Sequence, residues 1–325
     1  MSTSSDVSLG ALRLQARQRA DLENNNAVTD AEFNSYISNS YKRLYNMLIA
    51  AYGNDYYVAN TYQFSLTNSQ NYSLPDGTPA FIDSTGATAA KFYKLLGVDL
   101  QYSASPSGWV TMKRFELIER NRYAYPNTAI NFNGYTNLRY RLSGSTLMFM
   151  PVPMAGQTVR IFYAPAPTNL QFMLPAYSVG TSNVLGSMSD TTGLTIGMNV
   201  FLSNVVPSGV TISATSTTTV TMSSNALSSQ NANIFSFWND AATLDGISGW
   251  EEFIIIDAAI KAQIKQEGPT AELIGQRQDM VDEIQSMAEG RDIGQAHHVS
   301  DVLGASSYSD GFGGWGIDGG GWGGY

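Results

Sequence analysis

The sequence contains no cysteine and only two histidines, His297 and His298. Disulfides, thiolate nucleophiles and cysteine-ligated zinc or iron–sulfur sites are therefore excluded. The two histidines are adjacent, so on regular structure their side chains point apart and are poorly placed to share a metal ion. A plain surface pair is the better interpretation. Nucleophile-elbow and phosphate-loop motifs are also missing. We therefore expect no catalytic site, no cofactor and no metal, and the chain is predicted not to be an enzyme.

Positive charge is scarce as well. The chain has 18 Lys and Arg against 27 Asp and Glu, for a net charge of −9 at pH 7. This balance argues against nonspecific nucleic-acid binding, which needs cations to neutralise phosphates. No apolar run approaches the ~20 residues of a membrane span, and Met1–Asp6 lacks the pattern of a secretion signal. We expect a soluble protein that is made in the cytoplasm and has no membrane partner.

Charge of either sign is almost missing from one segment. Residues 172–239 carry a single formal charge, Asp190, in a chain with 14% charged residues. The segment is rich in Ser, Thr, Asn, Gly and β-branched residues, whereas the chain on both sides is charged and helix-patterned. This abrupt change of composition at both edges predicts a small all-β module, a barrel or sandwich, inserted at 174–237. Three short strand patterns lie within it, at 198–202, 210–214 and 218–222.

Two helices are predicted near the N-terminus, over 8–23 and 29–52. Ser8 can cap the first helix, and Thr29-x-x-Glu32 is a capping box for the second. The second helix has one apolar stripe, typical of a helix that packs on a core. Arginines of the first helix, among them Arg13 and Arg17, fall mostly on the side away from its apolar positions. Two interpretations of them stay open: a solvated face or contact with an acidic partner.

A helical hairpin is predicted over 248–290. Ser248-x-x-Glu251 reads as a second capping box, Gly268 suits the end of the first helix, and Pro269 suits the start of the next. The first of these helices has one mainly apolar side, which Asp257 and Lys261 interrupt. The apolar positions of the hairpin include Trp250, Phe253, Ile254, Leu273, Val281 and Ile284.

The centre of the chain changes to the period of strands. Apolar residues alternate with polar ones over 62–66 and 110–117, the latter with a phase shift that a bulge would explain. Residues 138–150 predict a hairpin that turns at Gly144, and 159–163 predict a further strand. An antiparallel β region is therefore expected between the helices.

The C-terminal residues 306–325 hold nine glycines and five aromatic residues and no Lys or Arg. Such a segment cannot build a core of its own. Because aromatic side chains anchor interfaces, we expect a tail that binds a partner through Trp315, Trp322 and Tyr325. A solvated flexible tail is the alternative interpretation.

The patterns together predict an α+β fold: a helical bundle, made of the N-terminal helices and the C-terminal hairpin, with a central antiparallel β region and an inserted small all-β domain. Residues 1–173 and 238–305 would form a discontinuous core. Residues 174–237 would be the insert, and 306–325 the tail.

Several motifs occur in an order that resembles a known family. The N-terminal motifs are Leu12-x-x-x-Ala16-Arg17 and Val28-Thr29-Asp30-x-Glu32-x-x-x-Tyr36-Ile37. The central motifs are Phe92-Tyr93-Lys94-Leu95-x-Gly97-Val98-Asp99 and Tyr140-Arg141-Leu142-x-Gly144-x-x-Leu147. The C-terminal motif is Gly249-Trp250-Glu251-Glu252-Phe253-Ile254. Over roughly 8–170 and 240–292 the chain resembles the head-to-tail connector, or adaptor, proteins of short-tailed bacteriophages, and 174–237 resembles Ig-like or barrel-like modules of phage structural proteins.

The resemblance implies a virion protein at the head–tail junction, assembled in the host cytoplasm. It implies a homo-oligomeric ring, usually of twelve subunits, between the portal protein and the tail nozzle or tail fibres. DNA would pass through the lumen without sequence-specific binding. The candidate interface residues are Arg13, Arg17, Trp250, Phe253, Trp315, Trp322 and Tyr325.

Two other function classes stay open. The first is a tail or capsid decoration protein that binds host-surface carbohydrate through its β insert and aromatic residues. The second is a tail-borne hydrolase, which needs two carboxylates facing each other in a cleft. Acidic pairs such as Glu251-Glu252 lie on helix patterns and are better interpreted as solvated faces.

Overall fold

The computed structural model describes residues 8–23, 27–52, 60–104, 107–123, 138–244 and 249–290. The helices are α1 (Leu9–Arg19), α2 (Asp30–Tyr52), the one-turn α3 (Arg120–Tyr123), α4 (Glu251–Lys265) and α5 (Ala271–Gly290). The first seven strands are β1 (Asn60–Ser65), β2 (Asn71–Ser73), β3 (Phe92–Ala104), β4 (Ser107–Thr111), β5 (Arg139–Ser143), β6 (Thr146–Met150) and β7 (Thr158–Pro165). The others are β8 (Gln171–Ser178), β9 (Val184–Gly186), β10 (Asn199–Phe201), β11 (Ile212–Thr215), β12 (Val220–Met222) and β13 (Gln230–Trp238). Helices and antiparallel sheets occur together, which confirms the predicted α+β class.

Helix α4 lies at the centre of the helical part, in contact with α1, α2 and α5. Every residue of Phe253–Ile260 is buried. The sequence pattern marked one side of this helix, and residues off that side, namely Ile255, Ile256, Ala259 and Ile260, are buried as well. A helix that is covered by neighbours on several sides has no solvated face for the sequence pattern to reveal.

The helix starts near the N-terminus follow from capping, as predicted. The Ser8 side chain accepts a hydrogen bond from the Ala11 N–H at 3.3 Å. In the capping box, the Thr29 N–H donates to the Glu32 carboxylate at 2.9 Å and the Glu32 N–H donates to Thr29 Oγ1 at 3.3 Å. These bonds satisfy backbone donors that have no partner within the helix.

The ends of the C-terminal hairpin differ in detail from the prediction. Ser248 lies outside the described residues, and the Glu251 carboxylate accepts from the Gly249 N–H at 2.8 Å. After α4 the left-handed position is occupied by Glu267, with φ of 56°, while the Gly268 N–H caps the helix through the Gln263 carbonyl at 2.9 Å. Pro269 precedes α5 by two residues instead of opening it.

Two sheets share the core of the central β region. One has the order β1-β7-β3-β4 and the other β2-β6-β5. The hairpin that turns at Gly144 and the strand over 159–163 are both confirmed. The predicted strand over 110–117 is wrong in its second half, because Leu117–Glu119 forms a 3-10 turn.

The longest strand, β3, left no usable signal in the sequence. It runs over Phe92–Ala104, and its ladders shift register between Phe92 and Lys94, Leu95 and Gly97, and Gln101 and Ser103. Each bulge inserts an extra residue, which reverses the side to which later side chains point. A long strand with bulges therefore shows no sustained alternation.

The remaining six strands form a second β unit with its own hydrophobic core. Their order is β10-β13-β8-β9-β12-β11. The Val200 N–H donates to the Val210 carbonyl at 2.9 Å, and the Ile212 N–H donates to the Met198 carbonyl at 2.8 Å. These bonds join the two ends of the strand order, so the unit is a small closed barrel. None of the described helices is long and apolar enough to cross a membrane.

A glycine pair tests the packing of the barrel. Gly193 and Gly197 both have φ near 90°, but a Cβ on Gly193 would lie 2.8 Å from the Phe172 ring, whereas a Cβ on Gly197 meets nothing within 4 Å. Both alanine variants suffer the same backbone strain, and only Gly193→Ala adds a clash. We expect Gly193→Ala to lower the free energy of unfolding by about 1–3 kcal/mol more than Gly197→Ala, measured in urea. Equal losses would contradict the packing.

Candidate functional site

A buried carboxylate joins three helices. Asp257 on α4 has a side chain only 1% exposed. Its Oδ2 accepts from Lys261 Nζ at 2.7 Å and from Ser40 Oγ at 2.8 Å, and its Oδ1 accepts from Arg277 at 3.0 Å and from Arg43 at 3.3 Å. Ser40 and Arg43 lie on α2 and Arg277 on α5, so one side chain ties α2, α4 and α5 together. We call these five residues the carboxylate hub.

Charge in the hub is unbalanced in favour of cations. Burial raises the pKa of Asp257, but hydrogen bonds and charge from Lys261, with bonds from Ser40 and Arg277, outweigh it and leave the pKa lowered. Three cations therefore face one ionised carboxylate. The surplus of positive charge is local, since the chain as a whole carries −9.

A second polar cluster lies where α1 approaches the barrel. Arg13 donates to the Asp240 carboxylate at 2.8 Å and to the Asn34 side chain at 3.1 Å. Asp240 also accepts from Trp238 Nε1 at 3.1 Å and from Asn199 Nδ2 at 3.0 Å. This carboxylate is thus held by three donors of its own chain, which gives it a structural role in joining the helices to the barrel.

The neighbouring Arg17 is also held within the chain. It donates to Asp30 and to the Val28 carbonyl, both at 2.8 Å, and its guanidinium lies 4.5 Å from the centre of the Phe33 ring. The sequence left two interpretations of Arg13 and Arg17 open: a solvated face or contact with an acidic partner. Both side chains are instead mostly buried and engaged in intramolecular ion pairs.

A cleft of about 520 Å³ opens beside these arginines. Its walls combine hydrogen-bonding groups with apolar surface from both the helices and the barrel. They include Arg13, Asp30, Phe201, Pro207, Val210 and Trp238. Such a combination suits a small polar ligand with an apolar side.

The other interface residues predicted from the sequence fall into two groups. Trp250 and Phe253 are buried in the helical core, Phe253 completely. They therefore have an intramolecular role here, which differs from the interface role expected of them. Trp315, Trp322 and Tyr325 lie outside the described residues, as do His297 and His298.

The barrel carries an exposed apolar surface that the sequence analysis missed. Met173 and Tyr177 on β8, Val184 on β9 and Ile234 on β13 are all exposed, and Ile234 pairs with Pro175. We call these five residues the barrel face. A signal was present, because both sides of β8 are apolar: its inward residues Phe172, Leu174 and Ala176 alternate with Met173, Pro175 and Tyr177.

Among the residues that the structure describes, no group of three or more His, Asp and Glu is placed to hold a metal ion. No protein-family model matches the chain, and no curated protein matches it. The candidate functional features are therefore identified from the structure alone. They are three separate places: the carboxylate hub, the cleft at Arg13 and the barrel face.

Removal of the only negative charge in the hub should greatly lower the stability of the fold. Asp257→Asn leaves three neighbouring cations without a counter-charge, so we expect a loss of about 3 kcal/mol in the free energy of unfolding at pH 7. The matched control is Asp279→Asn, an exposed position on α5, which should change stability by less than about 0.5 kcal/mol.

The same variant tests the pH dependence. The folded-state pKa of Asp257 is lowered, so its contribution is fully present above the unfolded pKa of about 3.9 and is lost as pH falls through the folded value. The stability gap between the wild type and Asp257→Asn should stay constant from about pH 7 to pH 5 and shrink in more acidic solution. A gap that stays unchanged in the folded protein below about pH 3.9 would refute the role of the ionised form.

Proposed function

We propose that this chain is a structural subunit of a connector ring at the head–tail junction of a short-tailed bacteriophage. In this proposal about twelve copies would bind the portal protein on one side and the tail nozzle or fibres on the other, with DNA passing through the lumen. The ordered motifs of the sequence support the choice of family. They occur on α1, at the start of α2, on β3, on the β5–β6 hairpin and at the start of α4, and each of these elements contributes buried residues to a hydrophobic core.

The barrel face is the observation that carries the assembly part of the proposal. Exposed apolar patches on soluble proteins commonly mark contacts with other proteins. This patch lies on a module with a single charged residue, Asp190, so neither charge repulsion nor desolvation of ions opposes contact with a second apolar surface. In a ring, each copy presents the same surfaces to its neighbours.

Assembly with a portal ring tests the proposal directly. We expect native mass spectrometry of the chain mixed with its portal rings to show a complex with many copies of the chain. Ile234→Glu places a charge in the barrel face and should weaken this assembly at least about tenfold, since burying an unpaired carboxylate is costly. Ile196→Glu changes an equally apolar, exposed residue in the turn before β10 and should leave it intact. A chain that stays monomeric beside the portal would overturn the proposal.

We also propose that residues 174–237 are a module inserted into a discontinuous host. Gln171 and Trp238 pair at the base of the barrel, so the host chain enters and leaves at one place. The buried core of the barrel comes entirely from residues 176–237. Insertion between neighbouring points costs little loop entropy, about 0.6 kcal/mol per doubling of length.

Deletion of the module tests this arrangement. Replacing 175–236 with a short Gly/Ser linker should leave one cooperative thermal transition, at a lower temperature because the contacts of Asn199 and Phe201 with Asp240 and Trp238 are lost. Calorimetry is the measurement. Loss of the cooperative transition would show that the host depends on the module for folding.

A second candidate function is binding of host-surface carbohydrate, which the cleft of about 520 Å³ favours. Saccharides present hydroxyl groups and apolar ring faces together, and the cleft offers Arg13 and Asp30 beside apolar walls. NMR chemical-shift changes that a glycan induces in the full chain, centred on residues of the cleft, would favour this function over the connector.

A further inference from the structure

An apolar groove of about 330 Å³ runs between α2 and α5. It is formed almost entirely by aliphatic side chains, and its volume suits one large aromatic side chain. Its lining is Met47, Ala50 and Ala51 from α2, and Val281, Ile284 and Gln285 from α5. Ile284 is buried at its floor, whereas Ala50 and Gln285 are exposed at its rim.

The groove continues directly into the carboxylate hub. On α2, Arg43 precedes Met47 by four residues, and on α5, Arg277 precedes Val281 by four residues. Residues at this spacing lie on one side of a helix, so both helices run in the same direction along the groove, from the arginines to its apolar part. Arg43 and Ala50 are about 10 Å apart along the helix axis.

The two arginines keep donors for a further anion. Both bind the same oxygen of Asp257, Oδ1, through one terminal nitrogen each. A guanidinium has five N–H donors, and Arg43 is half exposed. The groove therefore offers an apolar pocket for an aromatic ring and, one to two helical turns away, a cationic end for a carboxylate.

One segment of this chain has the matching chemistry. Residues 306–325 contain Trp315 and Trp322, with Asp318 between them, and no Lys or Arg. Asp318 is three residues from Trp315 and four from Trp322, so an extended chain spans at most roughly 10–14 Å between the carboxylate and either indole. This reach matches the distance between the two ends of the groove.

The position of the groove also favours this segment. The described chain ends at Gly290, on the same helix that supplies Val281, Ile284 and Gln285. Residues 291–305 are long enough to return the chain to the groove from that point. Attachment to the same molecule gives a local concentration of about millimolar, far above that of free chains in dilute solution.

We propose that the C-terminal segment 306–325 docks into the α2–α5 groove of its own chain, with one Trp in the apolar pocket and Asp318 at Arg43 and Arg277. This docking concerns the single chain and is independent of the connector function proposed above. It defines an interaction surface whose occupant is set by complementary charge and by one aromatic anchor.

The absence of cysteine makes cross-linking a direct test in the full-length protein. Gln285→Cys places a thiol at the rim of the groove, and Gly316→Cys or Gly323→Cys places one beside each Trp. In dilute solution we expect the Gln285→Cys variants to form an intramolecular disulfide at least about tenfold faster than the Ser286→Cys variants with the same second cysteine. Ser286 is exposed and lies next along α5 but points away from the groove.

Tail substitutions complete the test without touching the folded core. Trp315→Ala or Trp322→Ala, together with Asp318→Asn, should reduce the rate of disulfide formation in the Gln285→Cys variants to that of the Ser286→Cys controls, and added salt should reproduce the effect of Asp318→Asn. Equal rates at both α5 positions would overturn the proposal. Disulfides formed only between molecules would also overturn it and would place the segment on a second copy.

Discussion

The helical part depends on one constraint: Asp257 is ionised and almost inaccessible to water. A buried carboxylate is tolerated only with partners, and here four donors from α2, α4 and α5 supply them. The hub opposes a slide of one helix along another by a turn, because such a slide would separate the carboxylate of Asp257 from Arg43 or Arg277. This single side chain thus helps to fix the longitudinal register of three helices.

Sequence patterns predicted the local elements well and the long-range polar contacts poorly. The capping box at Thr29 and Glu32 and the β5–β6 hairpin depend on residues a few positions apart, so their signals are visible in the sequence. Arg13 is different, since its partner Asp240 is 227 residues away, and nothing near Arg13 in the sequence reveals that pairing. Asp257 and Lys261 were noted only as interruptions of an apolar stripe for the same reason, because Ser40 and Arg43 are more than 200 residues distant.

The barrel and the helices meet through polar contacts and through two aromatic residues, Phe201 and Trp238, that pack on the helical core, while the core of the barrel stays a separate cluster. Trp238 ends β13, packs with the helical core and donates to Asp240, which in turn binds Arg13. Tyr45 of α2 donates to the carbonyl of Pro165 at the end of β7. The helices thereby contact both β units at defined points. Each β unit keeps a separate hydrophobic core.

Closure of the barrel has a consequence for contacts between copies of this chain. An open sheet ends in strands whose backbone N–H and C=O groups lack partners, and such edges pair readily with the edges of other molecules. In this barrel β10 pairs with the residues around the start of β11, so the two strands at the ends of the strand order are not left open to pair with another copy. Contacts between copies at these two strands then involve side chains, which do not extend a sheet from one molecule to the next.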